Sequence, residues 1–234
     1  MRKKTGLLLF FIFLVSASLH AWSTGDMVQI VSVQYTSTYS RTITTEENAL
    51  ETIYSSSWDK GELSAGIQFS CDCASFTGNM FYWIFDFKNK FGIEVLSNAI
   101  KFQDVSCRFS TYAGPRGVIV FNPRISMGSS FLFGFKVSHF IDSDIDSVWK
   151  IEPSFSSWVD FKLNENSLLT FSFSSRDFFY HPNFFAPVFA IEFTNCFESN
   201  IVLFSRIDVR SIDLLTISSF IDGYSIRLGV GYKF

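Results

Sequence analysis

Large apolar residues recur at every second position through most of this chain, and that period decides what it can fold into. Leu63, Ala65, Ile67, Phe69, Cys71 and Cys73 alternate with Ser64, Gly66, Gln68, Ser70 and Asp72. Phe81, Trp83, Phe85 and Phe87 alternate with Tyr82, Ile84, Asp86 and Lys88, and Phe189, Ile191 and Phe193 with Ala190, Glu192 and Thr194. The same odd-numbered set holds at Val31, Val33 and Tyr35, at Phe131, Phe133, Phe135 and Val137, at Ile151, Phe155, Val159, Phe161 and Leu163, and at Leu169, Phe171 and Phe173. A period of two marks a strand with one apolar and one polar face, whereas a helix would return its apolar residues three and four places apart. The chain reads as all-β.

The alternation places strands near 27–40, 61–74, 80–88, 90–98, 102–111, 117–127, 130–141, 148–163, 167–176, 186–196, 201–210 and 220–234, twelve in all. If Ser97 to Phe102 forms a helical turn instead, two strands are lost and the count falls to ten; eight is the further alternative. Short polar turns stand at Thr77-Gly-Asn79, Lys88-Asn-Lys90, Asn164-Glu-Asn166 and Glu198-Ser-Asn200, and longer connections at 41–60, 111–117, 141–147, 176–185 and 210–219. An even count puts both termini on one side, with the turns at Asn164 and Glu198; Lys88-Asn-Lys90 then falls on the opposite rim as the exception. Thr44 and Glu47 have capping-box spacing, and Leu50, Ile53 and Tyr54 share a helical face, so a short helix is expected there.

In the final segment the alternation moves to even positions, Ile226, Leu228, Val230, Tyr232 and Phe234. This closing aromatic strand resembles the carboxyl-terminal strand of bacterial outer-membrane β-barrel proteins. The resemblance implies a transmembrane antiparallel up-and-down β-barrel of twelve strands, the first pairing with the last, and recognition of the closing strand by the barrel insertion machinery. Arg2, Lys3 and Lys4, the apolar run Gly6 to Val15 and then Ser16 to Ala21 have the form of a secretory signal peptide. Cleavage after Ala21, or after Ala17 or Ser18, is expected, with a single barrel domain over 22–234. No cysteine stands at the cleavage region, which argues against a lipoprotein.

Alternation alone fits both a soluble β-sandwich and a membrane barrel. The signal segment, the closing strand and 30 Phe, 8 Tyr and 5 Trp in 234 residues favour the barrel, with Trp83, Trp149, Tyr35 and Tyr232 suited to aromatic girdles. No run is long and apolar enough to cross a bilayer as a helix. Losing residues 1–21 takes the formal charge from −3 to about −6, which argues against a nucleic-acid partner. Cys71, Cys73, Cys107 and Cys196 invite a disulfide reading. However, residues two apart on a strand face are about 6.6 Å apart, too far for a Cys71–Cys73 bridge.

On the polar faces stand Arg108, Arg124, Lys136, Glu152, Asp160, Lys162, Glu192, Arg206, Asp208 and Arg227, together with Asp86, Lys88, Glu94, Asp104, Lys150, Arg176 and Arg210. Inside a barrel these line the lumen, with an excess of about three positive charges. Either they pair into a filled, narrow interior, or they favour small anionic solutes. Acids at Glu46, Glu47, Glu51 and Asp59, and at Asp142, Asp144 and Asp146, are expected in outer loops, solvated or able to hold a divalent cation. His139 follows the lipid-facing Phe131–Val137 set, and His181 lies in the aromatic loop Phe178-Phe-Tyr-His-Pro182. A lipid-facing histidine beside Ser138 could serve an interfacial hydrolase, but the spacing matches no known hydrolase pattern, so no catalytic, cofactor or metal residue is assigned and no enzyme is expected. The loop with Phe178, Phe179, Tyr180, Phe184 and Phe185 could bind a surface partner or sit among lipid headgroups. The expected function is a narrow porin-like channel or a structural membrane barrel.

Overall fold

The computed structural model describes residues 28–40, 45–70, 73–102, 106–140, 147–175, 187–211 and 221–234. They form twelve strands: β1 (Val28–Ser40), β2 (Thr45–Trp58), β3 (Gly61–Ser70), β4 (Cys73–Asp86), β5 (Asn89–Phe102), β6 (Ser106–Asn122), β7 (Ile125–Phe140), β8 (Val148–Lys162), β9 (Ser167–Ser174), β10 (Val188–Cys196), β11 (Ile201–Ser211) and β12 (Ile221–Lys233). Each pairs antiparallel with its neighbours in sequence, and β1 pairs with β12, so the sheet closes into a barrel. The seam runs from Ile30↔Lys233 to Ser40↔Gly223, and Tyr39 stacks on Tyr224 across it with ring centroids 5.4 Å apart. Closure gives every strand a hydrogen-bonded neighbour on both sides, as a bilayer requires.

Burial is inverted relative to a water-soluble domain. Ser32, Gln34, Thr36, Glu51, Gln68, Glu94, Asn98, Lys136, Glu152 and Asp208 are buried, while Val33, Tyr35, Phe131, Phe133, Phe135, Phe171, Ile191 and Trp149 are exposed. A sandwich would bury the second set and expose the first. The apolar face therefore looks outward, and the polar face lines the interior.

The connections at 59–60, 87–88, 123–124, 163–166 and 197–200 are short, and all lie on the rim where β1 starts and β12 ends. Their chemistry is local. Asn122 and Asn164 accept the backbone N–H of Arg124 and Asn166 at 2.8 Å, and Asn200 takes the left-handed conformation, φ 63°, that asparagine tolerates. Lys88 thus joins the other short turns and is not an exception on the far rim.

Twelve strands emerge as expected, yet by a different partition. In place of the expected short helix, β2 occupies Thr45–Trp58 and pairs with β1 from Val28↔Ser57 to Ser40↔Thr45, while Thr44 lies outside the described residues. Local capping spacing loses to a full-length ladder, and Glu51 is tolerated because it faces inward. Conversely, Gly114-Pro115-Arg116-Gly117 does not interrupt β6, and Thr77-Gly-Asn79 lies within β4. The β6–β7 register skips Gly114 and Pro115, where a Cβ on Gly114 would lie 2.1 Å from the Phe131 carbonyl oxygen. Proline brings no N–H, so the gap strands no donor.

The parity of β4 is also corrected. Trp83 is only 8% exposed, while Tyr82 and Ile84 are exposed, so Phe81 and Trp83 point inward and Trp83 belongs to no outer girdle. A register shift between Trp83 and Phe85 then turns Phe85 outward, opposite Phe91. Trp149, Tyr35 and Tyr232 are exposed on the outer face as expected. Cys107 and Cys196 are unbridged, and Cys71 lies outside the described residues.

Candidate functional site

The interior is built from inward side chains whose neighbours are set by strand register. Where β6 begins, β7 ends and β8 begins, Arg108, Lys136 and Lys150 gather around one acid, Glu152. Lys136 pairs directly with Lys150. Glu152, 4% exposed, accepts the Tyr112 hydroxyl at 2.6 Å and lies 3.7 Å from Lys150 Nζ. Like charges on facing positions repel, and Glu152, the acid in contact with Lys150 among the described residues, offsets part of that repulsion.

Deeper in, a second group narrows one wall. Arg116 Nη1 stands 3.2 Å from Glu94 Oε2, and its guanidinium lies over the Phe81 and Trp158 rings at 4.2 and 4.3 Å, with Trp83 at 5.8 Å. Such stacking suits the planar, weakly hydrated guanidinium. Trp158 lies flat on Gly128, where a Cβ would come within 2.1 Å of the ring, and Tyr112 rests on Gly134 in the same way, with 2.4 Å for the added Cβ. Both aromatics share the parity of the serines on their strands, so they enter the interior and need the glycine opposite.

The facing wall carries an ion-pair chain. Arg206 binds Asp208 through Nε at 2.7 Å and Glu192 through Nη1 at 3.1 Å, Ser225 donates to Asp208 at 2.9 Å, and Arg227 lies 3.7 Å from Glu51. Arg206 and Arg227 are direct cross-strand partners, so the flanking carboxylates separate two like charges. In a ring of twelve strands, β6 and β12 are opposite, which places Arg116 and Arg227 across the interior from each other. The buried Nε of Arg108, Arg116 and Arg227 meets no protein acceptor among the described residues.

Of the sequence candidates, Arg108, Lys136 and Glu152 come together, as do Glu192, Arg206, Asp208 and Arg227. Asp160 is held by Thr170 at 2.7 Å and Ser126 at 3.3 Å. Lys162 ends β8, and Arg124 sits exposed in the turn at 123–124, so both belong to the short-turn rim. Sequence reading missed Arg116, set aside in a Gly-Pro segment, and the inward aromatics Phe81, Trp83, Trp158 and Tyr112. It also placed Glu51 in an outer acidic loop with Asp59; Glu51 faces inward, and Asp59 lies in a short turn. Together with Glu62 opposite Phe81, Glu51 narrows the expected cationic excess. Trp158, in phase with Ser154, Ser156 and Asp160, carried a readable signal of its facing.

His139 is exposed on the outer face, its Nδ1 3.0 Å from Ser147 Oγ. His181, the aromatic loop Phe178–Phe185, Asp104, Arg176 and the acids Asp142, Asp144 and Asp146 lie outside the described residues. The closing residues Ile226, Leu228, Val230, Tyr232 and Phe234 are all exposed outward, with Tyr232 and Phe234 in edge contact at 5.0 Å.

No protein-family model and no curated protein matches the sequence. Solved structures do. The chain is similar to the NanC porin, with a TM-score of 0.62 at 12% identity over 87% of this chain and 100% of that one. It is similar to the KdgM porin, with a TM-score of 0.56 at 11% identity over 87% and 99%. An outer membrane channel from Pseudomonas putida F1 matches with a TM-score of 0.52 at 8% identity over 91% and 96%. Identities this low speak for the fold, which is that of the bacterial outer-membrane β-barrel porins and channels. An outward face this apolar belongs in lipid, and the barrel is placed in the outer membrane.

Proposed function

We propose that this outer-membrane β-barrel is a narrow, porin-like channel for small solutes that favours anions. Barrel diameter grows with strand number; eight strands leave an interior filled by side chains and sixteen or more leave a wide aqueous pore, so twelve strands leave a restricted path. One observation carries the anion preference: on one wall, near the rim opposite the short turns, Lys136 and Lys150 face each other beside Glu152 with Arg108 on the neighbouring strand, so cations outnumber acids there among the described residues. A small anion passing these described residues meets more positive than negative charge before it reaches the ion-paired constriction. With no catalytic role assigned to the interior, its charges serve passage and packing.

The same reading gives Ile226, Leu228, Val230, Tyr232 and Phe234 to assembly, as the strand that the insertion machinery engages by strand addition before the seam closes. Replacing Phe234 by Ser should then slow insertion into machinery-containing vesicles and leave unassisted refolding unchanged. Equal slowing in both would assign the residue to stability alone.

Single-channel recording of the refolded protein in a planar bilayer tests the channel. The expected result is a small, discrete conductance with chloride more permeant than potassium. The preference should weaken in the Lys136→Ala, Lys150→Ala double variant. A silent bilayer would sink the channel, and a cation preference would sink the charge reading.

A further inference from the structure

Lys136 is only 8% exposed, yet no hydrogen bond or ion pair meets its ammonium among the described residues. The charged groups around it are Arg108, Lys150 and Glu152, two cations and one acid. Lys150 is its direct partner across β7 and β8, and Arg108 stands diagonally on β6, opposite Ser138. Opposite partners in a ladder are about 5 Å apart and diagonal ones about 7–8 Å, so the three stems rise from a patch about 10 Å across, two strand spacings.

Glu152 does not neutralise this patch. Its carboxylate takes the Tyr112 hydroxyl at 2.6 Å and lies 3.7 Å from Lys150 Nζ, and it sets one negative charge against three positive ones among the described residues. Arg108 lies over the Phe102 ring at 5.6 Å, which holds it on this side. The Lys150 side chain, 60% exposed, gives the patch an open side. A largely buried ammonium beside two like charges, with no ion pair of its own, is costly unless an anion joins it.

Charge and shape narrow the class of that anion. Three cations and one acid leave two positive charges, which a dianion balances and a monoanion does not. An ammonium is a point charge that accepts an anion from any side, whereas a planar carboxylate is matched by one guanidinium fork. Stems converging from three strands therefore suit an anion whose oxygens point in several directions. We infer that Lys136, Lys150 and Arg108 form a binding subsite for one dianionic tetrahedral oxyanion, a phosphate ester or sulfate. The inference deepens the anion-favouring reading of this wall and rests on the same cations, but binding there does not require that the interior conduct.

Isothermal titration calorimetry of the full chain, refolded in micelles at low salt, tests it with sulfate, methyl phosphate and acetate. Sulfate or methyl phosphate should bind at one site per barrel, about tenfold or more tighter than acetate, and the tighter of the two names the source. Lys136→Met should weaken that binding about tenfold, the scale of one charge-assisted hydrogen bond, and Lys136→Arg should restore it. Lys60→Met, in the short turn at the other rim, should leave it unchanged. If Lys136→Met lacks the heat-modifiable gel mobility of a closed barrel, Lys150→Met, at the exposed side chain, decides in its place. Equal affinity for acetate, undiminished binding by the folded variant, or the same loss in Lys60→Met would overturn the subsite. In a planar bilayer the dianion should also interrupt the chloride current reversibly. A silent bilayer with dianion binding intact would remove the channel and keep the subsite; a chloride-selective channel without dianion binding would do the reverse.

Discussion

An arginine at Phe171 should cost the folded barrel about 2–4 kcal/mol, and an arginine at Phe85 only about 0–1 kcal/mol. Phe171 stands mid-strand on β9 between Val159 and Ile191, and its ring meets Phe161 edge-on at 5.8 Å. A guanidinium there enters the hydrocarbon core and also loses an aromatic pair worth about 1 kcal/mol. Phe85 is next to the last residue of β4, beyond the register shift, so its substitute can reach the headgroups. Ser172 points the other way, toward Ala190 and Trp158, and an arginine there joins the wet interior for less than about 1 kcal/mol. Urea titration of the protein in vesicles, followed by tryptophan fluorescence, gives the three midpoints in one series. The reasoning fails if Ser172→Arg costs as much as Phe171→Arg, because facing would then be wrong. It fails equally if Phe85→Arg matches Phe171→Arg, because depth would then not matter.

Gly128→Ala should destabilise by about 1–3 kcal/mol and shift Trp158 emission, since the new methyl would stand 2.1 Å from the ring; unchanged emission and midpoint would show that the ring does not lie there. Tyr112→Phe removes the 2.6 Å donor to buried Glu152 and should cost about 1.5–3 kcal/mol in the same titration, with a smaller loss arguing that water replaces the hydroxyl. Arg116→Ala should raise conductance by opening the space between Phe81 and Trp158, and lower the anion preference by leaving Glu94 unneutralised. An unchanged permeability ratio would place Arg116 off the solute path.

How much of this was legible depends on range. β7 and its outward Phe131, Phe133 and Phe135 follow from period alone, because the alternation runs unbroken from Phe131 to Val137. β2 does not, since Glu46, Glu47 and Glu51 look like a solvated helix until β1 supplies a partner along the whole stretch and Arg227 approaches Glu51. β4 misled through phase: counting parity backwards from Phe85 puts Trp83 in lipid, whereas the register shift between them sends it inward. Arg116 was hidden behind Gly114 and Pro115, whose turn chemistry is real but is spent on a gap in one ladder while the other, to β5, stays paired. Arg206 meets Asp208 on its own strand, but its pair with Glu192, and those of Arg116 with Glu94 and Arg227 with Glu51, are set by which strands lie side by side and in what register, which spacing along the chain does not encode.

Ring closure has a consequence for how this molecule can come apart. Every strand holds two neighbours, so extracting any one exposes two rows of backbone groups to hydrocarbon at once, each group costing several kcal/mol. There is no terminal strand to peel first, not even β1 or β12. Loss of the native state in the bilayer should therefore be a single, steep and slow event, with lifetime set by the height of that first opening and little affected by the modest worth of any one contact.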